Sequence, residues 1–189
     1  MGFYTKEYLR NLSSSGLKGT RTFSAVATES KKLTQFDIFL SHSYKDKQYI
    51  EGLFLELSNL GFKVYVDWII DPHLSRNNIT KRTVEHIRKR MKQSKSLVYA
   101  TSENASNSKW MPWELGFIDG DKGRCSILPI TNYESSNFNG QEFLSAYPYI
   151  TKDGIKNMPH KKALWVRESP NKYVIMESWL KGVNPTTRN

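Results

Sequence analysis

The chain has 189 residues and a formal net charge of +10, from 28 Lys and Arg residues against 18 Asp and Glu residues. Hydrophobic residues make up 38% and aromatic residues 13%, which is the composition of a folded domain with a core. No run reaches the roughly 18 apolar residues of a membrane helix, and the first residues lack the apolar centre of a signal peptide. The single cysteine, Cys125, excludes an internal disulfide, so we expect a cytoplasmic protein in which Cys125 is a small buried side chain.

The beginning of the chain differs in composition from the rest. Residues 1–35 are polar and rich in Ser, Thr and Lys, with a short helical pattern around Tyr4 to Leu12. This composition predicts an N-terminal extension, residues 1–35, that lies outside the main core. The alternating elements that follow predict one domain over residues 36–182, with a C-terminal tail over residues 183–189.

Four short apolar runs rich in β-branched and aromatic residues follow from Phe36 onward. They are FDIFLS, FKVYV, SLVYAT and CSILPI, and helical patterns separate them. Continuous apolar strands of this kind belong to a parallel sheet that is covered on both faces. Further on, ALWVR (163–167) predicts a fifth strand and NKYVIMESWLKG (171–182) predicts a closing helix. The sequence therefore predicts an α/β fold, a doubly wound sheet of about five parallel strands with helices on both faces.

Much of the positive charge falls in one predicted helix, KRTVEHIRKRMKQSK, residues 81–95. Val84, Ile87 and Met91 recur there at helical spacing with basic residues between them, which predicts an amphipathic helix with a solvated positive face. A nucleic-acid surface is the alternative, but neither paired metal ligands nor an aromatic RNP motif accompanies the charge. We therefore do not expect nucleic acid as a partner.

Polar and aromatic residues gather where the predicted strands end. In open parallel sheets, ligands bind beyond the carboxyl ends of the strands. The residues expected at this edge are Ser41, His42, Ser43 and Lys45 after the first strand, Asp67 and Trp68 after the second, and Trp110 and Glu114 beyond the third. The sequence thus predicts a binding site that contains one carboxylate beside aromatic rings.

The stretch SKWMPWELGF, residues 108–117, places that carboxylate on a helix. Pro112 is tolerated only in the first helical turn, so the helix should begin near residues 109–111, with Glu114 at about its first turn. There the helix dipole favours an ionised carboxylate, and Trp110 lies near the same face one turn earlier. The alternative is a structural one, in which Glu114 caps the helix over two core tryptophans.

A lone carboxylate beside an aromatic wall suits one kind of bond cleavage. Ordinary glycosidases need two carboxyl groups. A nicotinamide ribosyl bond needs less, because its leaving group is already cationic and departs neutral, so one anionic Glu could stabilise the oxocarbenium-like transition state. Lys45 or Arg76 could then face a diphosphate. No GxGxxG motif follows a strand, so a hydride-transferring use of NAD is not supported.

Two further features near this edge have alternative interpretations. His42 follows the first strand and could transfer protons or could belong to the turn, and the other histidines lack metal-ligand spacing. The connection DWIIDPHLSRNNI is longer than the usual βα loop, which predicts a lid or an interaction surface. No metal site and no resident cofactor are predicted.

Taken in order, FDIFLSHSYKD, GFKVYVD and SLVYATSENASNSKWMPWELG resemble the Toll/interleukin-1 receptor (TIR) domain, its bacterial branch in particular, over about residues 36–130. The resemblance implies a flavodoxin-like sheet of order 2-1-3-4-5. In enzymatic members, a glutamate four residues after a tryptophan in the third helix is required for cleaving NAD, and Glu114 and Trp110 match that pair. The resemblance also implies that Ser41, His42 and Ser43 line the nicotinamide and ribose pocket, and that the loop over residues 67–79 mediates assembly.

The function that the resemblance implies is an NAD nucleosidase with NAD as substrate. The product would be ADP-ribose or a cyclic ADP-ribose-type signal, made in bacterial antiphage defence beside a separate effector protein that senses it. Self-association through TIR contacts is expected, and no membrane partner. Two alternatives stay open: a non-enzymatic TIR interaction module, and a nucleic-acid or nucleotide binder that depends on the net charge.

Overall fold

A computed structural model describes residues 2–15, 21–74, 80–134, 142–155 and 158–188. The strands of this part of the chain are β1 (Tyr4–Thr5), β2 (Phe36–Ser41), β3 (Val64–Tyr65), β4 (Ser94–Thr101), β5 (Cys125–Thr131), β6 (Tyr149–Ile155), β7 (Met158–Ser169), β8 (Lys172–Ile175) and β9 (Thr186–Thr187). The helices are α1 (Lys6–Ser15), α2 (Phe23–Ser30), α3 (Lys47–Asn59), α4 (Asp67–Ile70), α5 (Lys81–Lys92), α6 (Trp110–Lys122) and α7 (Met176–Trp179). All the strands join one mixed sheet.

The centre of the sheet is parallel, in the order β3-β2-β4-β5-β6. Counted along the predicted domain, this is the flavodoxin-like order 2-1-3-4-5, and helices lie on both faces, so the predicted fold class is confirmed. The strands β2, β4 and β5 are buried almost throughout, because helices cover both of their faces and each strand carries a continuous apolar run.

The predicted helices between these strands form, and local sequence signals set their ends. Thr80 caps α5 by accepting the N–H of Thr83 at 3.2 Å, and Ile87 and Met91 of this helix are fully buried. Gly61 after α3 and Gly123 after α6 have positive φ angles of 96° and 59°, the left-handed conformation that ends a helix and that glycine adopts without strain.

The C-terminal part of the domain differs from the prediction. The fifth parallel strand is β6, whereas residues 163–167 lie in β7, which runs antiparallel to β6. The predicted closing helix is mostly wrong, because Lys172–Ile175 form β8 and the helix that follows is α7, a single turn. A short apolar segment satisfies strand and helix patterns equally well, so here pairing with β7 decides the structure.

The N-terminal residues are part of the core, so the prediction that residues 1–35 lie outside it is wrong. The expected short helix is α1, and its Leu9 and Leu12 are buried in the main apolar cluster. The strand β1 pairs in parallel with β5 through Tyr4 and Ile130, and the carbonyl of Gly2 accepts the N–H of Lys152 in β6 at 3.2 Å. The first residues thus fill the space between β5 and β6.

A buried polar group holds this N-terminal segment in place. Glu56 of α3 accepts hydrogen bonds from the hydroxyl groups of Tyr4 (3.3 Å) and Tyr8 (3.0 Å) and forms an ion pair with Lys152. Burial alone would lower the pKa of Lys152, but its bonds to Glu56 and Tyr8 outweigh burial and raise the pKa. Lys152 therefore stays charged and ties β6 to both α1 and α3.

Candidate active site

The carboxyl edge of the parallel sheet brings Glu114 next to the end of β2. The helix α6 begins at Trp110, so Pro112 lies in its first turn as predicted and Glu114 is its fifth residue. The Glu114 side chain is 0% exposed, although it lies at the edge of the sheet. Burying a carboxylate costs free energy unless polar groups surround it. Complete burial of an acidic side chain is therefore more typical of a functional group than of a helix cap.

Ser41, the last residue of β2, holds this carboxylate. Its Oγ donates to Oε2 of Glu114 at 2.6 Å, and both side chains are fully buried. Tyr99 of β4 is the strand neighbour of Ser41; burial first, and then the negative charge of Glu114, raise the pKa of its phenol. Ser41 therefore orients the Glu114 carboxylate, and Tyr99 stays protonated beside it.

The capping alternative for Glu114 is not supported by the start of α6. There the Oγ of Ser108 accepts the N–H of Met111 at 3.3 Å, so a serine outside the helix takes the capping role. Glu114 lies beyond the first turn and interacts with the neighbouring strand instead.

The two tryptophans of α6 face different surroundings. Their rings meet edge to face with centroids 5.4 Å apart. Trp113 also contacts Phe117 at 6.1 Å and the guanidinium of Arg88 at 5.8 Å, so it packs towards α5. Trp110 is partly buried at the first position of the helix, four residues before Glu114, a spacing that puts the two residues near the same helix face.

His42 fixes Trp68 against the end of β2. Its Nδ1 lies 2.9 Å from the carbonyl of Leu40, and its Nε2 lies 3.0 Å from the indole N–H of Trp68. A carbonyl can only accept and an indole N–H can only donate, which assigns the neutral tautomer with the proton on Nδ1. Asp67 Oδ1 lies 3.7 Å from Nε2. Both ring nitrogens are thus engaged, which supports the turn interpretation of His42 over proton transfer.

The remaining predicted residues have different positions relative to this cluster. Ser43 and Asp67 are buried, whereas Lys45 is exposed in the 3₁₀ turn Tyr44–Asp46. Trp68 is partly buried, with the ammonium of Lys47 4.8 Å from its ring centroid. Arg76 lies outside the described residues. Ile69 and Ile70, in the same short helix as Trp68, are buried.

A second carboxylate that sequence reasoning missed anchors the connection after β3. Asp71 accepts two hydrogen bonds from Arg90 (2.7 and 2.8 Å), one from the Tyr65 hydroxyl (2.9 Å) and one from Nε2 of His86 (2.8 Å). Burial would raise the pKa of Asp71, but the bonds from Arg90, His86 and Tyr65 outweigh burial and lower it to about 2. The spacing of His86 and Arg90, one turn apart on α5, was the available signal.

Asp46 is another buried carboxylate that the sequence patterns did not indicate. It is 1% exposed and accepts hydrogen bonds from Ser102 and Asn104, in the loop after β4. Among the residues that the structure describes, no group of three His, Cys, Asp or Glu side chains could hold a metal ion. In the same part of the chain, no helix is long and apolar enough to cross a membrane.

Fold and site together define an α/β protein of flavodoxin-like topology with a carboxylate-centred site at the carboxyl edge of its sheet. More narrowly, the chain belongs to the TIR domain family, whose model matches residues 38–155. It is 46% identical over 147 residues to the "Probable 3' cyclic ADP-D-ribose synthase ThsB'" of Bacillus cereus (strain MSX-D12), a match covering 77% of this chain and 75% of that protein.

A second relative is TIR2 of Cytobacillus dafuensis, provisionally named a cyclic ADP-D-ribose synthase. It is 33% identical over 107 residues, which cover 49% of this chain and 28% of that protein. The resemblance deduced from the strand and helix motifs is therefore confirmed at the level of the family.

Proposed function

We propose that this protein cleaves the nicotinamide ribosyl bond of NAD and closes the remaining ADP-ribose into a cyclic product, with Glu114 as the essential carboxylate. The observation that carries the proposal is the fully buried Glu114 held by Ser41 at 2.6 Å. Both curated relatives bear the names of cyclic ADP-D-ribose synthases, which supports cyclisation over hydrolysis as the main outcome.

The bond-breaking step uses charge stabilisation more than proton transfer. The C1′–N bond breaks, and its electron pair leaves with the nicotinamide nitrogen, so nicotinamide departs neutral. The positive charge left on the ribose is stabilised by the carboxylate of Glu114. Because Ser41 donates a hydrogen bond to that carboxylate, it holds the carboxylate in one orientation.

The second step decides the product. A hydroxyl or ring nitrogen of the same molecule attacks C1′ to give the cyclic product, or water attacks to give ADP-ribose. When a hydroxyl or water attacks, it then loses a proton to Glu114 or to solvent. A buried carboxylate favours the cyclic route, because a site that excludes bulk water lowers the chance of hydrolysis.

The substrate contacts are part of the same proposal. We assign the nicotinamide and ribose to the surface made by Ser41, His42, Ser43, Trp68 and Trp110, with Asp67 beside His42. Lys45, which is exposed beside that surface, and Arg76 are assigned to the diphosphate. Self-association through TIR contacts, and a separate effector protein that senses the product in antiphage defence, belong to the same proposal.

The test compares wild-type protein with Glu114→Gln and with a control, Glu85→Gln. Glu85 is an exposed glutamate of α5, so the control removes the same charge away from the site. Concentrated protein is incubated with NAD, nicotinamide is quantified and product masses are measured. We expect Glu114→Gln to lower nicotinamide release at least about a hundredfold and Glu85→Gln to leave it unchanged. The masses of ADP-ribose and the cyclic product differ by one water.

The interaction-module alternative predicts a different result. Wild-type protein would then assemble without releasing nicotinamide, even at high concentration or with a crowding agent. Equal release by wild type and Glu114→Gln would refute the role of Glu114 while keeping the enzyme. Circular dichroism of each variant establishes that a loss of activity is not a loss of the fold.

A further inference from the structure

Asp46 joins two loops that flank the candidate active site. It ends the 3₁₀ turn that follows β2, and its carboxylate is almost completely buried. Oδ2 accepts the hydroxyl of Ser102 at 2.5 Å, and Oδ1 accepts the side-chain amide of Asn104 at 2.7 Å. Both carboxylate oxygens of Asp46 therefore accept hydrogen bonds from the same short loop after β4.

The Asp46 bonds also determine the shape of that loop. The hydroxyl of Ser102 accepts the backbone N–H of Asn104 at 3.0 Å while it donates to Asp46, so one serine closes the turn and ties it down. The residue between them, Glu103, pairs with Lys6 of α1 at 2.6 Å, but its side chain is 63% exposed. An exposed ion pair fixes a loop weakly, whereas two partly buried hydrogen bonds to a buried carboxyl group are stronger and directional. Asp46 is thus the main tether.

This tether and the catalytic contact connect the same two segments of chain. Ser41 and Asp46 lie five residues apart, at the end of β2 and in the turn that follows it. Their partners, Glu114 and Ser102, lie on α6 and on the loop that leads into it. The Ser41–Glu114 bond orients the carboxylate, and the Asp46–Ser102 bond holds the approach to α6, where Trp110 is the first residue.

We propose that Asp46 is a positioning residue that sets the partition between cyclisation and hydrolysis, an inference that rests on the proposed function. After the C1′–N bond breaks and nicotinamide leaves with the electron pair, two nucleophiles compete for C1′. Cyclisation forms the new bond from a lone pair elsewhere in the same molecule, and the protein must hold that molecule folded back so that the lone pair faces C1′. Hydrolysis forms it from a water oxygen that loses a proton, and it needs no such alignment. Misplacement of a wall by about 1 Å is enough to cost an aligned reaction about a hundredfold.

The experiment measures the ratio of cyclic product to ADP-ribose, together with total nicotinamide, for wild type and four variants. Asp46→Asn exchanges the charged acceptor for an amide, and Ser102→Ala removes the hydroxyl that Asp46 binds. Ser102→Thr keeps that hydroxyl, and Asp121→Asn removes a charge from the exposed part of α6. We expect the ratio to fall about tenfold in Asp46→Asn and Ser102→Ala, more than total nicotinamide falls, and to stay at the wild-type value in the two controls.

Each other outcome overturns a specific part of the reasoning. An unchanged ratio in Asp46→Asn and Ser102→Ala, whatever happens to total nicotinamide, refutes the positioning role and leaves the proposed enzyme intact. Wild-type protein that releases nicotinamide but makes ADP-ribose alone refutes cyclisation and the partition together. Wild-type protein that releases none refutes the proposed function itself. If Asp46→Asn does not fold, the comparison of Ser102→Ala with Ser102→Thr decides alone.

Discussion

The contact between α1 and α3 can be tested by adding a single methyl group at Gly52. A Cβ built on Gly52 would lie 1.9 Å from the carbonyl oxygen of Leu9 and 2.7 Å from its carbonyl carbon. Ordinary van der Waals contact begins at 3.4 Å, so the two helices must separate by about 1.5 Å. The obstacle is backbone, which cannot turn aside as a flexible side chain would.

The expected effect of Gly52→Ala is a net loss of stability of about 1 to 2 kcal/mol, because a clash with backbone falls in the upper half of the overpacking range. Overpacking of this kind costs about 1 to 3 kcal/mol, and the better helix propensity of alanine offsets at most about 1 kcal/mol. The loss arises because Leu9 and Leu12, buried on the other side of the contact, are lifted from the core.

The assay is urea unfolding, with Gly120→Ala as the matched control. Gly120 is a helical glycine of α6 with nothing within 4 Å of an added Cβ, so its replacement should stabilise by about 0.5 to 1 kcal/mol. If Gly52→Ala is as stable as wild type or more so, α1 is not held against α3 as described, and the N-terminal segment does not belong to the core.

Three further outcomes follow from contacts around the site. Asp71→Asn should destabilise by roughly 2 to 3 kcal/mol near neutral pH in urea unfolding, because it leaves Arg90 with a weaker partner. The pKa of Asp71 in the folded protein is about 2, below its ordinary value of 3.8, so the stability that this carboxylate contributes is complete above pH 3.8 and is lost as the pH falls towards 2. Over that pH range wild type should lose more stability than Asp71→Asn, and equal losses would contradict this. Trp68→Phe removes the hydrogen bond to His42 and should raise KM for NAD about fivefold with little change in kcat. The control Trp113→Phe should leave KM unchanged, and an effect of Trp68→Phe on kcat alone would argue against a role of Trp68 in positioning the substrate. Burial raises the pKa of Cys125 to about 12, so a thiol reagent should modify the native protein far more slowly than the unfolded one, and equal rates would contradict the buried position.

The parallel core and the position of Glu114 could be predicted because their signals are local. Each central strand is a continuous apolar run between helical patterns, and Pro112 limits where α6 can begin. The carboxyl edge then follows from topology alone, which puts Ser41 and Glu114 at the same edge of the sheet.

The features that were missed depend on partners far away in sequence. Asp46 and Ser102 are 56 residues apart, and nothing in either neighbourhood identifies the other. In α1, the two buried leucines lie in a segment that is otherwise polar, so its composition resembles that of an exposed extension. Over β8 and α7, too few residues are present to separate a two-residue period from a helical one.

The strand β1 lies between β5 and β6, so it is synthesised long before the strands that it contacts. Residues 2–5 leave the ribosome before residues 125–155 exist, yet their backbone partners are Ile130 and Lys152. In a growing chain, β1 therefore has no strand partner until β5 has emerged, and the bond from Lys152 to Gly2 forms only after β6 has emerged. Lys6 follows directly on that strand and contacts Glu103 in the loop after β4, so a segment that is synthesised well before β5 and β6 contributes to the edge of the candidate site.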